Sequence, residues 1–181
     1  MSILAPYWPA DLVQLARDQF ILDPKGHHGL PHWTRVGHHA VELAQELGLD
    51  PTVPALFALF HDSCRENEHD DDEHGMRASD FVGRLIRRGK FDHLSSEQKD
   101  HLRRACAEHS LGLTHGPLVV QVCFDADRLD LGRVGIRPDC RLLCTDAAQD
   151  PARLRRAERW SEGYTRGGVA TPALKRKWAM R

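Results

Sequence analysis

The chain has 181 residues, 41% of them hydrophobic and 28% charged, with a formal net charge of −1. That length buries a sizeable core and suits one domain spanning 1–181. So balanced a charge gives no electrostatic reason to expect a nucleic acid or a membrane as partner, and the locally basic stretches RLRRAERW and LKRKWAMR read as solvated surface.

The periodicity is helical from the start. PADLVQLARDQFIL puts Leu12, Leu15, Ala16 and Phe20 on one face, with Pro9 and Asp11 at its start. A Gly/His/Pro-rich loop over 23–31 follows. PHWTRVGHHAVELAQELG then carries Val36, Ala40, Leu43, Ala44 and Leu47 at helical spacing and stops at Gly48. Asp50-Pro51 opens PTVPALFALFHD, apolar on most sides, as a central helix is. After the polar ENEHDDDEHG loop, MRASDFVGRLIRRG reads as an amphipathic helix ending at Gly89. SSEQKDHLRRACAEHS follows, with Ser96 three residues before Lys99 and no clean capping box, and a face made by Leu102, Ala105 and Cys106. PLVVQVCFDADRL is ambiguous, because its β-branched run suits a strand. A lone strand would have no partner, so a buried helix is expected there. Helical patterns near 139–149 and 151–163 and a Gly/Pro-punctuated tail complete an all-α class, a compact helical bundle.

No run approaches the roughly 20 apolar residues of a membrane span. SILAPYWPADL is broken by prolines and an aspartate before a signal-like segment develops. The cysteine count is five, without a CxxC, which fits reduced thiols in a cytoplasm better than a disulfide framework.

Histidine is the unusual count, at 12. His32 opens the second helix on the face of Val36 and Ala40. His61-Asp62 ends the central helix. Asp125 and Asp127 end the apolar run of CFDADRLDLGRVGI. Each is ordinary alone: a chance doublet, a helix-start histidine, a capped turn. Together, each at the end of a packed element, they form a mixed imidazole–carboxylate set suited to a divalent first-row metal. Neighbours on a helix diverge by about 100°, so an HD pair meets one ion only near a helix end.

This ordered set, His32, His61-Asp62 and an aspartate in ADRL (126–129), resembles the HD-domain superfamily of metal-dependent phosphohydrolases. The resemblance covers roughly 27–150, leaving 151–181 as a helical extension. It implies an all-helical HD-like fold and a divalent-metal site of His32, His61, Asp62 and Asp127, with Asp125 the alternate last ligand. Some members bind a second ion through two intervening histidines, and His74 and His109 fall in that interval. The ions implied are one or two of Mn, Fe, Co, Ni, Zn or Mg. His69, His93, His101 and His115 read as solvent-facing, and His27, His28, His38 and His39 as loop or surface residues, with His28 a candidate for the pocket rim. The one GY pair, Gly163-Tyr164, lies outside the core, so the resemblance does not extend to the cyclic-dinucleotide branch.

The resemblance implies hydrolysis of a phosphate mono- or diester, of a nucleotide among other candidates, by a metal-activated water. Asp62 would hold the metal and bond that water. Phosphate needs forked cationic donors. Arg65, three residues past Asp62, and Arg128, next to Asp127, come first, with Arg77 and Arg133 behind them. Glu66 would orient one of these or shuttle a proton. The partner expected is a small phosphorylated molecule, with a homo-oligomer left open. The alternative is a catalytically silent HD domain that binds a nucleotide or metal in a regulatory role.

Overall fold

The computed structural model describes residues 2–161, which form helices and turns with no strand among them. The helices are α1 (Ala10–Gln19), α2 (Leu30–Glu46), α3 (Thr52–Phe60), α4 (His74–Arg87), α5 (Ser96–Glu108), α6 (Leu118–Leu129), α7 (Asp146–Gln149) and α8 (Pro151–Ser161). The extension expected over 151–181 is described as far as Ser161; Gly163-Tyr164 and LKRKWAMR lie outside the described residues. No helix among these is long and apolar enough to cross a membrane.

The apolar content of α3 decides the architecture. Every residue from Val53 to Phe60 is buried, so neighbours must cover all its sides, and α2, α5 and α6 do so. α4 lies along α5, and α1 touches α3. The β-branched segment is helical, as expected. Val120, Cys123 and Phe124 face α3, while Val122 packs with Leu43 and Ala44 of α2, and burial on two faces outweighs intrinsic propensity. At α5 the register differs by one residue from the expected start. Ser95 is the N-cap and forms a full capping box with Gln98, so the reading from Ser96 missed it. α4 likewise begins at His74, inside the stretch read as loop.

A second apolar cluster joins α2, α6, α7 and α8 through Leu43, Val122, Leu129, Ala148 and Ala157. RLRRAERW is not all solvated surface. Arg153 is buried and pairs with Glu42 and Glu46 of α2, and Arg156 pairs with Glu42.

This packing buries His39, expected on the surface. Its ring lies 5.1 Å from that of Trp160, and neither nitrogen has a hydrogen-bond partner among the described residues. Burial pushes its pKa down to about 3, with Asp130 pulling up and Arg156, Arg153 and Arg35 pushing down. Below the ordinary pKa near 6.5 the unfolded chain therefore takes up a proton that the folded chain refuses. Stability falls with decreasing pH from about 6.5 toward about 3, at roughly 1.4 kcal/mol per pH unit. His39→Leu removes this pH dependence. Urea unfolding of the metal-free protein should show the variant no less stable than wild type at pH 7.5 and about 2 kcal/mol more stable at pH 5. Parallel acid limbs for the two proteins would contradict this.

Candidate metal centre

The doublet lies where α3 runs out. His61 is the C-cap of α3, and the chain continues in a turn, with Ser63 N–H donating to Phe60 O and Arg65 N–H to Asp62 O. The turn lets both side chains of the pair point into one space. His32 enters from the first turn of α2. The N-cap of that helix is Gly29, where a Cβ would collide with the Pro24 carbonyl, and the helix has a proline in its first turn. Asp127 comes from the last turn of α6. His74 opens α4, and His109 ends α5. Gly75 brings these two together, since a Cβ there would lie 2.7 Å from the Cys106 carbonyl oxygen of α5.

All four imidazoles face the same way for the same reason. Nδ1 of His61 lies 3.2 Å from Ala58 O, and that of His109 lies 2.8 Å from Cys106 O. His74 Nδ1 contacts Asp71 O, and His32 Nδ1 lies 2.7 Å from Asp130 Oδ2. A carbonyl or carboxylate oxygen only accepts, so each Nδ1 carries the proton and each Nε2 presents a lone pair. Those lone pairs meet head to head, at 3.0 Å for His32 and His61 and 2.9 Å for His74 and His109. With no proton between them such contacts are repulsive, unless a cation takes both lone pairs. Two nitrogens each about 2.1 Å from one ion, at roughly a right angle, stand about 3 Å apart.

Asp62 spans the two imidazole pairs. Its Oδ2 lies 3.4 Å from His32 Nε2 and 3.6 Å from His61 Nε2. Its Oδ1 lies 3.4 Å from His74 Nε2 and 3.8 Å from His109 Nε2, is buried, and has no hydrogen-bond partner among the described residues. Asp127 Oδ1 is 3.4 Å from His32 Nε2 and 3.8 Å from His61 Nε2. In His32–His61–Asp127, and again in His61–Asp62–His109, three ligand atoms lie within 4.8 Å of one another. These residues fit a metal. Burial pushes the His61 pKa to about 3 and that of His74 to about 4, so both stay neutral. Burial alone would raise the Asp62 carboxyl, but His61 and Arg65 outweigh it and hold it well below the ordinary range.

A cleft of about 60 Å³ opens over Asp62, Asp127, His74 and His109. Arg65 and Arg133 line it. Arg65 Nη1 is 3.6 Å from Asp62 Oδ1, and its Nη2 donates to His69 O. Arg133 Nη2 is 3.8 Å from Asp127 Oδ1, and its Nε donates to His27 O. Other candidates lie elsewhere. Asp125 accepts from Cys144 N–H, Thr145 N–H and Thr145 Oγ, because two residues along a helix turn it about 200° from Asp127. Arg128 is buried and donates to Leu142 O and Leu113 O, both at 2.6 Å, tying loops together. Arg77 braces Asp71 and Cys64 O, and Glu66 is exposed beside Arg77; neither lines the cleft.

Sequence reasoning missed Asp130 behind His32, and Glu68 beside the cleft-lining His28. His28 is buried there, with Nδ1 2.5 Å from Glu68 Oε2. DADRLD contained Asp130, but nothing local indicates a partner 98 residues earlier. Of the histidines read as solvent-facing, His69 lines the cleft.

A family model described as HD domain matches residues 30–132, more than half of the chain and all of α2 to α6. No curated protein and no solved structure matches it.

Proposed function

The chain belongs to the HD-domain family, and on that premise we propose that it is a metal-dependent phosphohydrolase that cleaves a phosphate mono- or diester of a small molecule, with nucleotides in its range. The observation that carries this reading is the head-to-head meeting of two pairs of Nε2 lone pairs, each closed by an oxygen of Asp62. His32, His61, Asp127 and Oδ2 of Asp62 would hold one ion. His74, His109 and Oδ1 of Asp62 would hold a second. The imidazole–carboxylate set suits first-row divalent ions. When bound, such ions polarise a phosphoryl oxygen and make water nucleophilic near neutral pH.

The chain's own groups supply the rest. We assign Arg133 and Arg65 to the phosphoryl oxygens, as the guanidinium groups bordering the cleft. Burial keeps His28 itself neutral, so the His28–Glu68 pair together, with the Glu68 carboxyl held above its ordinary range by burial, is assigned to relaying a proton to the leaving oxygen, in place of Glu66. The walls are polar, with Leu131 the one aliphatic side chain among the described lining residues, and they also carry Asp70, Asp71 and Asp72, so bound ions together with Arg65 and Arg133 would have to supply the positive charge that recognises a phosphate end.

The test uses protein stripped by a chelator and reloaded singly with Mn, Co, Ni, Zn or Mg. Hydrolysis of p-nitrophenyl phosphate and of bis-p-nitrophenyl phosphate should vanish on stripping and return with at least one ion. Rebinding without cleavage of these or of a panel of phosphorylated metabolites would make the chain a silent binding domain. Failure to rebind any ion would remove the reading altogether.

A further inference from the structure

Asp130 caps the C-terminal end of α6 and is completely buried. Its Oδ2 accepts from His32 Nδ1 at 2.7 Å and from Arg35 Nη2 at 2.9 Å. Its Oδ1 accepts from Arg35 Nε at 2.6 Å. Ser161 Oγ lies 3.2 Å from Oδ1 and 3.0 Å from Ala157 O, so its one proton is shared between them. Both carboxylate oxygens thus face donors, and only an ionised carboxylate satisfies all of them. Ser161 belongs to α8, beyond the family-matched residues, and reaches this point over Gly132, where a Cβ would lie 2.7 Å from the Ser161 Cβ.

We propose that Asp130 is a positioning residue of the metal centre: it keeps the proton of His32 on Nδ1 and turns Nε2 toward Asp62, Asp127 and His61, and α8 completes its support through Ser161. This rests on the reading of His32 as a metal ligand. A carboxylate behind a ligating imidazole fixes its tautomer and raises its basicity. Arg35 in turn fixes the carboxylate with a two-pronged fork. An amide at 130 cannot do the same. Its NH2 group would face either Arg35 Nε–H, a donor against a donor, or His32 Nδ1, which would then have to give up its proton and leave it on Nε2.

The full chain, metal-free and reloaded with zinc, tests this with Asp130→Asn, Ser161→Ala and His32→Ala. Zinc affinity is read by competition with a chromogenic chelator, and the His32 tautomer by long-range 1H–15N correlation at saturating zinc. We expect zinc on Nε2 and the proton on Nδ1 in wild type, and an affinity about 10- to 100-fold weaker in Asp130→Asn. Ser161→Ala should lie between the two. A purely structural role would lower the melting temperature of the metal-free variant and leave zinc affinity unchanged. That result, with affinity within twofold of wild type, overturns the proposal. If His32→Ala also leaves affinity unchanged, the underlying metal reading fails instead. Should Asp130→Asn not fold, zinc-loaded wild type decides, and a His32 carrying its proton on Nε2 overturns the proposal.

Discussion

His61→Ala should yield a folded protein that no longer holds the first proposed metal ion, with affinity at that position down by more than about 100-fold, beyond what a change behind a ligand produces. Hydrolysis of an aryl phosphate should fall with it, and excess metal should restore little. The reason is geometric. His61 Nε2 stands 3.0 Å from His32 Nε2 and completes the group with Asp127, so its loss leaves one imidazole on that side. Asp127→Asn, equal in size but uncharged, should behave alike. Ion counting then separates the two positions. His74→Ala should give up one ion and keep the other, whereas Asp62→Asn should give up both, because each oxygen of Asp62 serves a different imidazole pair. Full metal content in Asp62→Asn would break this account of the site.

The largest effect on stability is expected at Phe57. It is fully buried in α3, with its ring stacked on His61 at 4.8 Å between centroids and edge-on to His109 at 5.8 Å. Phe57→Ala should cost about 3–5 kcal/mol in chemical denaturation, the usual range for an aromatic truncated in a core. The same cavity frees two imidazoles to rotate, so metal affinity should fall although no ligand has been touched. Phe57→Leu retains part of the packed volume and should recover part of both losses. A stability loss below about 1 kcal/mol in Phe57→Ala would mean that the core does not hold the site in place.

Much of this was readable from the chain because the candidate ligands sit at the ends of apolar elements. His32, His61, Asp62 and Asp127 each close or open a helix whose buried face is plain in the periodicity, and the structure brings all four together. Sequence distance was an uneven guide: Arg65, three residues past Asp62, does line the cleft, whereas Arg128 does not. Arg128 follows Asp127, but one residue along a helix turns a side chain by about 100°, which sent it to the loop carbonyls and left Arg133 at the cleft. His39 looked like a surface residue because α8, the element that covers it, arrives more than a hundred residues later. Asp130 was hidden for the same reason, its partners being in α2 and α8. Element ends are local information, whereas the shell behind a ligand is made by tertiary contacts.

The two pairs of imidazoles and their shared carboxylate are proposed to form a metal centre. The most direct test is a crystal grown with manganese and measured for anomalous scattering. A peak is expected within ligand distance of His32, His61, Asp62 and Asp127, and a second beside His74, His109 and the other oxygen of Asp62. Well-ordered side chains with no anomalous peak among them, or a peak bound elsewhere on the molecule, would contradict it.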